Sequence, residues 1–214
     1  MADDEVQEAE ERWQATRRDT DGFRYLKLLK MREVEPAFYL QERVRIGDLS
    51  QERLELAAFL NHKAALEATG AEKTQLPQAP REWFRKLATR FGRREAVRAL
   101  LALAQRVQPE DIAPAVAQQL ERVEDYCTDP GRVRPETLTW EEDYAPQGSW
   151  PERAAHAAIE AAKLAVTVAG DEFPPGIYGA ADTLFGILED EGERSPEELV
   201  EYMWFDLRDW ALQE

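Results

Sequence analysis

Apolar residues recur along this chain every third and fourth position, and no stretch alternates with a period of two. The clearest case is QERLELAAFLNHKAALEAT (51–69), where Leu54, Ala57, Ala58, Leu60, Ala64 and Ala65 keep a helical period. Ser50 stands where an N-cap belongs, and Gly70 where a left-handed stop belongs. Similar reasoning predicts a short apolar helix over 22–33 and another from Pro36 to the stop at Gly47. A long helical region covers 80–107, with Gly92 as a break or close-packing point. The next helix, 109–126, carries Pro114 too late for a first turn, so its start moves to near Ala113. An alanine-rich helix follows from Pro151 to Ala169, then one over 176–189, then the final stretch SPEELVEYMWFDLRDWALQE (195–214). A polar helix over 5–18, within the acidic stretch 1–20, opens the chain and is expected to fray.

The pattern predicts an all-α fold: one domain over 1–214, a bundle of about eight helices in antiparallel pairs, with no sheet. Residues 71–79 read as a linker. Residues 128–150 (TDPGRVRPETLTWEEDYAPQGSW) are too rich in proline and glycine for a continuous helix and form a long irregular loop, with a short helical piece near 136–143.

Charge adds an asymmetry to this picture. The net charge is −16 over 214 residues. Residues 20–108 carry 17 basic and 11 acidic side chains, whereas 171–214 carry 2 basic and 13 acidic. Such an acid balance disfavours general nucleic-acid binding, because phosphates are repelled, and suits a basic protein partner. No apolar run has the length of a membrane span, and the acidic start lacks the pattern of a signal peptide. A cytoplasmic location, with no membrane partner, is the expectation. Cys127 is the single cysteine, so no internal disulfide can form.

Groups that could carry chemistry are few. Two histidines, three serines and one cysteine provide no nucleophile–base arrangement. The glycines of GIYGAADTLFG (176–186) fit helix packing better than a phosphate cradle. Glu152, His156 and Glu160 share one helix face at i, i+4 and i+8, the spacing of half a di-metal site. The second half is missing from the sequence, and a solvated face explains the pattern more simply. Lys86, Arg90, Arg94 and Arg98 form a basic ridge, with Arg81, Arg85 and Arg93 beside it. That ridge reads either as a phosphate-binding surface or as the counterpart of the chain's own acidic segments, and the net charge favours the second. No catalytic, cofactor-binding or metal-binding residue is assigned.

Two stretches combine acids with aromatics. On a helix, Leu199, Val200, Met203, Trp204, Leu207, Trp210 and Ala211 form one stripe, enough to dock 195–214 into a core. Tyr202, Phe205 and Leu212 fall outside it, among Glu198, Glu201 and Asp209. An aromatic inside an acidic field is the composition of a docking face. The loop repeats this composition with Glu141, Glu142, Asp143 and Tyr144 between Trp140 and Trp150.

The helix from Leu49 through Glu52-Arg53-Leu54, Leu56-Ala57-Ala58, His62 and Ala64-Ala65 to Gly70 resembles that of an all-helical family of myxobacterial type. Gly92 to Arg98 and the alanine-rich 151–169 are similar to the same family, while 109–150 departs from it. Some members look like immunity proteins of toxin systems, and no catalytic residue comes with the resemblance. The expected function is therefore non-enzymatic: an acidic helical protein that neutralises or regulates a basic protein partner. Glu198, Glu201, Tyr202, Phe205 and Asp209, then Glu141, Glu142, Asp143 and Tyr144, are the expected contacts. A helical adaptor that self-associates, its basic ridge meeting the acidic end of another copy, is the alternative. A metal-dependent bundle built on Glu152, His156 and Glu160 is the remote one.

Overall fold

A computed structural model of the chain describes residues 2–75, 79–109, 112–138, 149–167 and 173–213. Among them the fold is all-α, with eleven α-helices and no strand. The difference from about eight arises partly where two expected helices break. The first, 51–69, divides into α4 (Gln51–Phe59) and α5 (Lys63–Thr69). Between them Asn61 is left-handed at φ 57°. Its amide holds that turn: Nδ2 donates to the Thr74 carbonyl and Oδ1 accepts from the Thr74 amide, both at 2.7 Å. Asparagine tolerates this conformation because its short amide bonds to nearby backbone. The second, 80–107, divides at Gly92 (φ 98°) into α6 (Pro80–Phe91) and α7 (Arg93–Arg106).

The chain forms two compact units: Met1–Gln75 together with Arg208–Glu214, and Leu76–Leu207. The first contains α1 (Ala2–Thr16), α2 (Asp19–Met31), α3 (Pro36–Ile46), α4 and α5. Its α1 packs on α2, and α3 touches both α2 and α5. Tyr25, Leu26 and Leu29 of α2 are buried with Ala9 of α1. Trp13 of α1 lies under two guanidinium groups, Arg17 at 4.5 Å and Arg45 at 4.6 Å from the ring centre. Buried Asp21 receives Arg12 at 2.9 Å and the Thr16 hydroxyl at 2.7 Å, tying the corner between α1 and α2. Gly47 (φ 84°) and Gly70 (φ 68°) end α3 and α5 in left-handed caps, and the Ser50 hydroxyl accepts from the Arg53 amide at the start of α4.

The second unit is built round α7. Nine consecutive residues, Ala96–Ala104, are buried. A helix apolar on every side must be surrounded, and α6, α8 (Pro114–Thr128), α9 (Trp150–Thr167) and α10 (Gly176–Asp190) all touch it. Alanines of α9, including Ala154, Ala158, Ala161 and Ala162, are fully buried. Small side chains let its backbone approach α7 and α10 closely. α8 starts at Pro114, whose fixed φ suits a first turn. The segment after it makes two short 3₁₀ turns, Pro130–Arg132 and Pro135–Thr137, and buries Leu138. No helix among the described residues is long and apolar enough to cross a membrane. The last helix, α11, spans Pro196–Leu212. Its seven stripe residues, from Leu199 to Ala211, are all buried.

Candidate functional site

The Ser195 hydroxyl accepts from the Glu198 amide at 3.2 Å, while the Glu198 carboxylate accepts from the Ser195 amide at 2.8 Å. This capping box fixes the start of α11 and gives Glu198 a structural task. Glu198 also lies 3.8 Å from Arg194. With the start fixed and the apolar stripe buried, the outer side of the helix is determined. Glu197, Glu201 and Phe205 follow one another there at four-residue spacing, all exposed. Phe205 is 51 % exposed, unusual for so large an apolar ring. Glu201 makes no ion pair among the described residues. Asp209, one turn beyond Phe205, is exposed and lies 3.4 Å from the Arg208 guanidinium.

Beside Phe205 a surface hollow of about 560 Å³ opens between α7 and α11, with Gln105, Arg106, Glu201, Tyr202, Phe205 and Asp206 among its lining. Arg106 lies over the Tyr202 ring, 5.1 Å from its centre. Asp206, also in the lining, pairs with buried Arg98 at 2.8 and 2.9 Å. The hollow thus combines two aromatic rings with Glu201, a carboxylate that has no ion pair among the described residues.

Of the residues expected from sequence, the structure brings Glu201, Tyr202 and Phe205 to this hollow. It assigns Glu198 to the helix cap and leaves Asp209 one turn away. Glu141, Glu142, Asp143 and Tyr144 lie outside the described residues. Glu197 was missed, although its spacing from Glu201 and Phe205 is readable directly. So was the outer side of α2, where Phe23 and Met31 are exposed beside Arg24 and Lys27; the apolar run 22–33 concealed which of its members face inward.

The basic ridge is engaged within its own unit. Arg81 donates to both Glu189 oxygens at 2.9 Å and lies 3.5 Å from Asp182. Arg98 pairs with Asp206 and, at 3.4 Å, with Glu124. Arg94 donates to the Cys127 and Thr128 carbonyls at 2.5 and 3.0 Å, capping the end of α8. Lys86 pairs with Glu82 at 2.7 Å; that pairing holds the Glu82 carboxyl below its ordinary range.

The Glu152, His156 and Glu160 set does not converge. The Glu152 carboxylate accepts from the Ser149 amide and hydroxyl at 2.8 and 3.0 Å, which ties it to the start of its own helix. His156 Nε2 stands 3.9 Å from Glu160. Among the described residues no three His, Cys, Asp or Glu side chains are grouped to hold a metal ion. His62 is pushed below its ordinary value by burial and by Arg208, against the opposite pull of Asp209.

Cys127 is fully buried, and burial pushes its thiol from 9.0 up to about 12 despite nearby Arg98 and Arg94. Only the thiolate attacks, so at pH 8 a thiol-specific disulfide reagent should leave the native chain unlabelled and react fully once urea unfolds it. Since the folded thiol holds its proton more tightly than the unfolded one, the contribution of Cys127 to stability is full below pH 9 and is lost as pH rises toward 12. No family model, curated protein or solved structure matches the chain.

Proposed function

We propose that the protein is a non-enzymatic binding protein that docks a basic protein partner on the outer side of α11 and so neutralises or regulates it. The observation that carries this reading is Phe205, half exposed one turn from Glu201 at a surface hollow in the most acidic quarter of the chain. An exposed aromatic beside a pocket supplies anchoring area, and surrounding carboxylates steer a cationic surface toward it. Occlusion of the partner's own site is the mechanism that fits a surface without catalytic groups. A toxin's cognate immunity protein, acting in the cytoplasm, is one form of this function, in keeping with the family resemblance at 49–70 and 92–98.

The test begins with capture from the native extract at low salt and identification of the retained protein. Titration of that purified protein then measures its affinity for the chain at two ionic strengths. A basic partner binding one to one, with affinity falling about tenfold from low to physiological salt, is the expected result. A partner of acidic character, or one whose binding ignores salt, would refute the reading.

The ridge pairings count against the self-assembling alternative, because Arg81 and Arg98 meet the acidic end of their own chain and have little charge left for another copy.

A further inference from the structure

The molecule repeats one device for holding an arginine: an aromatic ring with a carboxylate one helical turn away, gripping a guanidinium from another helix. In the first unit, Glu10 and Trp13 of α1 take Arg45, which lies 4.6 Å above the ring and 2.9 Å from the carboxylate while Glu42 of its own helix holds its other side. In the second, Phe185 and Glu189 of α10 take Arg81, 5.6 Å from the ring centre and forked onto both carboxylate oxygens at 2.9 Å. The hollow beside α11 already holds one guanidinium on an aromatic face, Arg106 over Tyr202. Glu201 and Phe205 repeat the pair, four residues apart, exposed and at the edge of the same hollow.

We infer that this pair is an arginine-reading site: the partner inserts an arginine whose guanidinium stacks on Phe205 and donates to Glu201, with Glu197 behind it. The inference rests on the docking reading above and names the chemistry of what docks. Arginine is preferred to lysine for a physical reason. Its flat, weakly hydrated guanidinium can stack on a ring and hydrogen-bond a carboxylate in its own plane at once; an ammonium is a compact, strongly hydrated charge that does not stack. Charge alone would not distinguish them. Arg106 on Tyr202 bounds the site on the α7 side.

Two blocked peptides of equal charge test this, Gly-Arg-Gly-Arg-Gly and Gly-Lys-Gly-Lys-Gly, titrated at low salt into the isotope-labelled full chain and followed by amide shifts. The expected result is shifts at Glu201 and Phe205, with the arginine peptide binding roughly fivefold tighter than the lysine peptide. Phe205→Leu, which keeps an apolar side chain at an exposed position, should bring the two peptides to parity. Glu201→Gln should weaken both. Equal affinities for the wild-type chain would overturn the arginine preference while leaving an acidic docking face intact. Shifts elsewhere, with Glu201 and Phe205 silent, would overturn both the preference and the docking reading. Shifts at Glu201 and Phe205 that appear on raising protein concentration, without peptide, would make the occupant a second copy and overturn the inference.

Discussion

Truncating Trp83 to alanine should lower stability by about 4 kcal/mol, the range measured for large aromatics removed from cores. Trp83 is 1 % exposed on α6, with Trp204 of α11 tilted against it at 6.3 Å. Nearby, Phe84 meets Phe185 and Tyr178 edge-on at 5.9 and 6.2 Å. Rigid aromatics of this kind cannot collapse into the space an indole leaves, so the cavity persists. The indole nitrogen is buried without a hydrogen-bond partner among the described residues. Trp83→Phe therefore removes an unsatisfied donor along with some packing, and should cost only about 1 kcal/mol. Urea unfolding followed by circular dichroism measures both. Equal costs for the two variants would show that the indole nitrogen, and not the volume, matters.

The second large effect is an asymmetry across one ion pair. Asp206→Ala should cost about 3 kcal/mol, and Arg98→Met about 1. Arg98 is 6 % exposed and cannot shed its proton; without Asp206 its buried charge keeps, among the described residues, only Glu124, an exposed side chain at 3.4 Å. In the reverse case the stranded groups are partly exposed carboxylates, which water can solvate, while Met keeps the aliphatic packing of the arginine stem. The double variant should recover most of what Asp206→Ala loses. Equal single costs would mean that the guanidinium reaches water more freely than its burial indicates.

Much of this fold is written in local sequence signals. Helix starts follow Ser50, Pro36 and Pro114, and stops follow Gly47 and Gly70, because those residues carry their backbone preference wherever they stand. The buried stripe of α11 follows from periodicity alone. The break at Asn61 does not, because it depends on Thr74, thirteen residues away, receiving both ends of an amide. The same limit applied to the basic ridge. Spacing places Arg81, Arg94 and Arg98 on one region of helix, but their partners, Glu189, Cys127, Thr128 and Asp206, come together only through packing. At the candidate site, composition pointed to Glu201, Tyr202 and Phe205. It also drew in Glu198, whose role at the helix cap is set by Ser195 three residues earlier, a pattern readable in the sequence as a capping box. Arg106 and the hollow had no sequence signal, since α7 contributes them from nearly a hundred residues upstream.

The account stands on Phe205 being a contact residue and not a core residue. The most direct measurement is the melting temperature of Phe205→Ala alongside its affinity for the captured partner. The account predicts an affinity loss of about tenfold or more with the melting temperature unchanged within error, since an anchor in a binding surface carries that much energy while an exposed ring contributes little to folding. A melting temperature that falls together with the affinity, or an affinity that does not change, would contradict it.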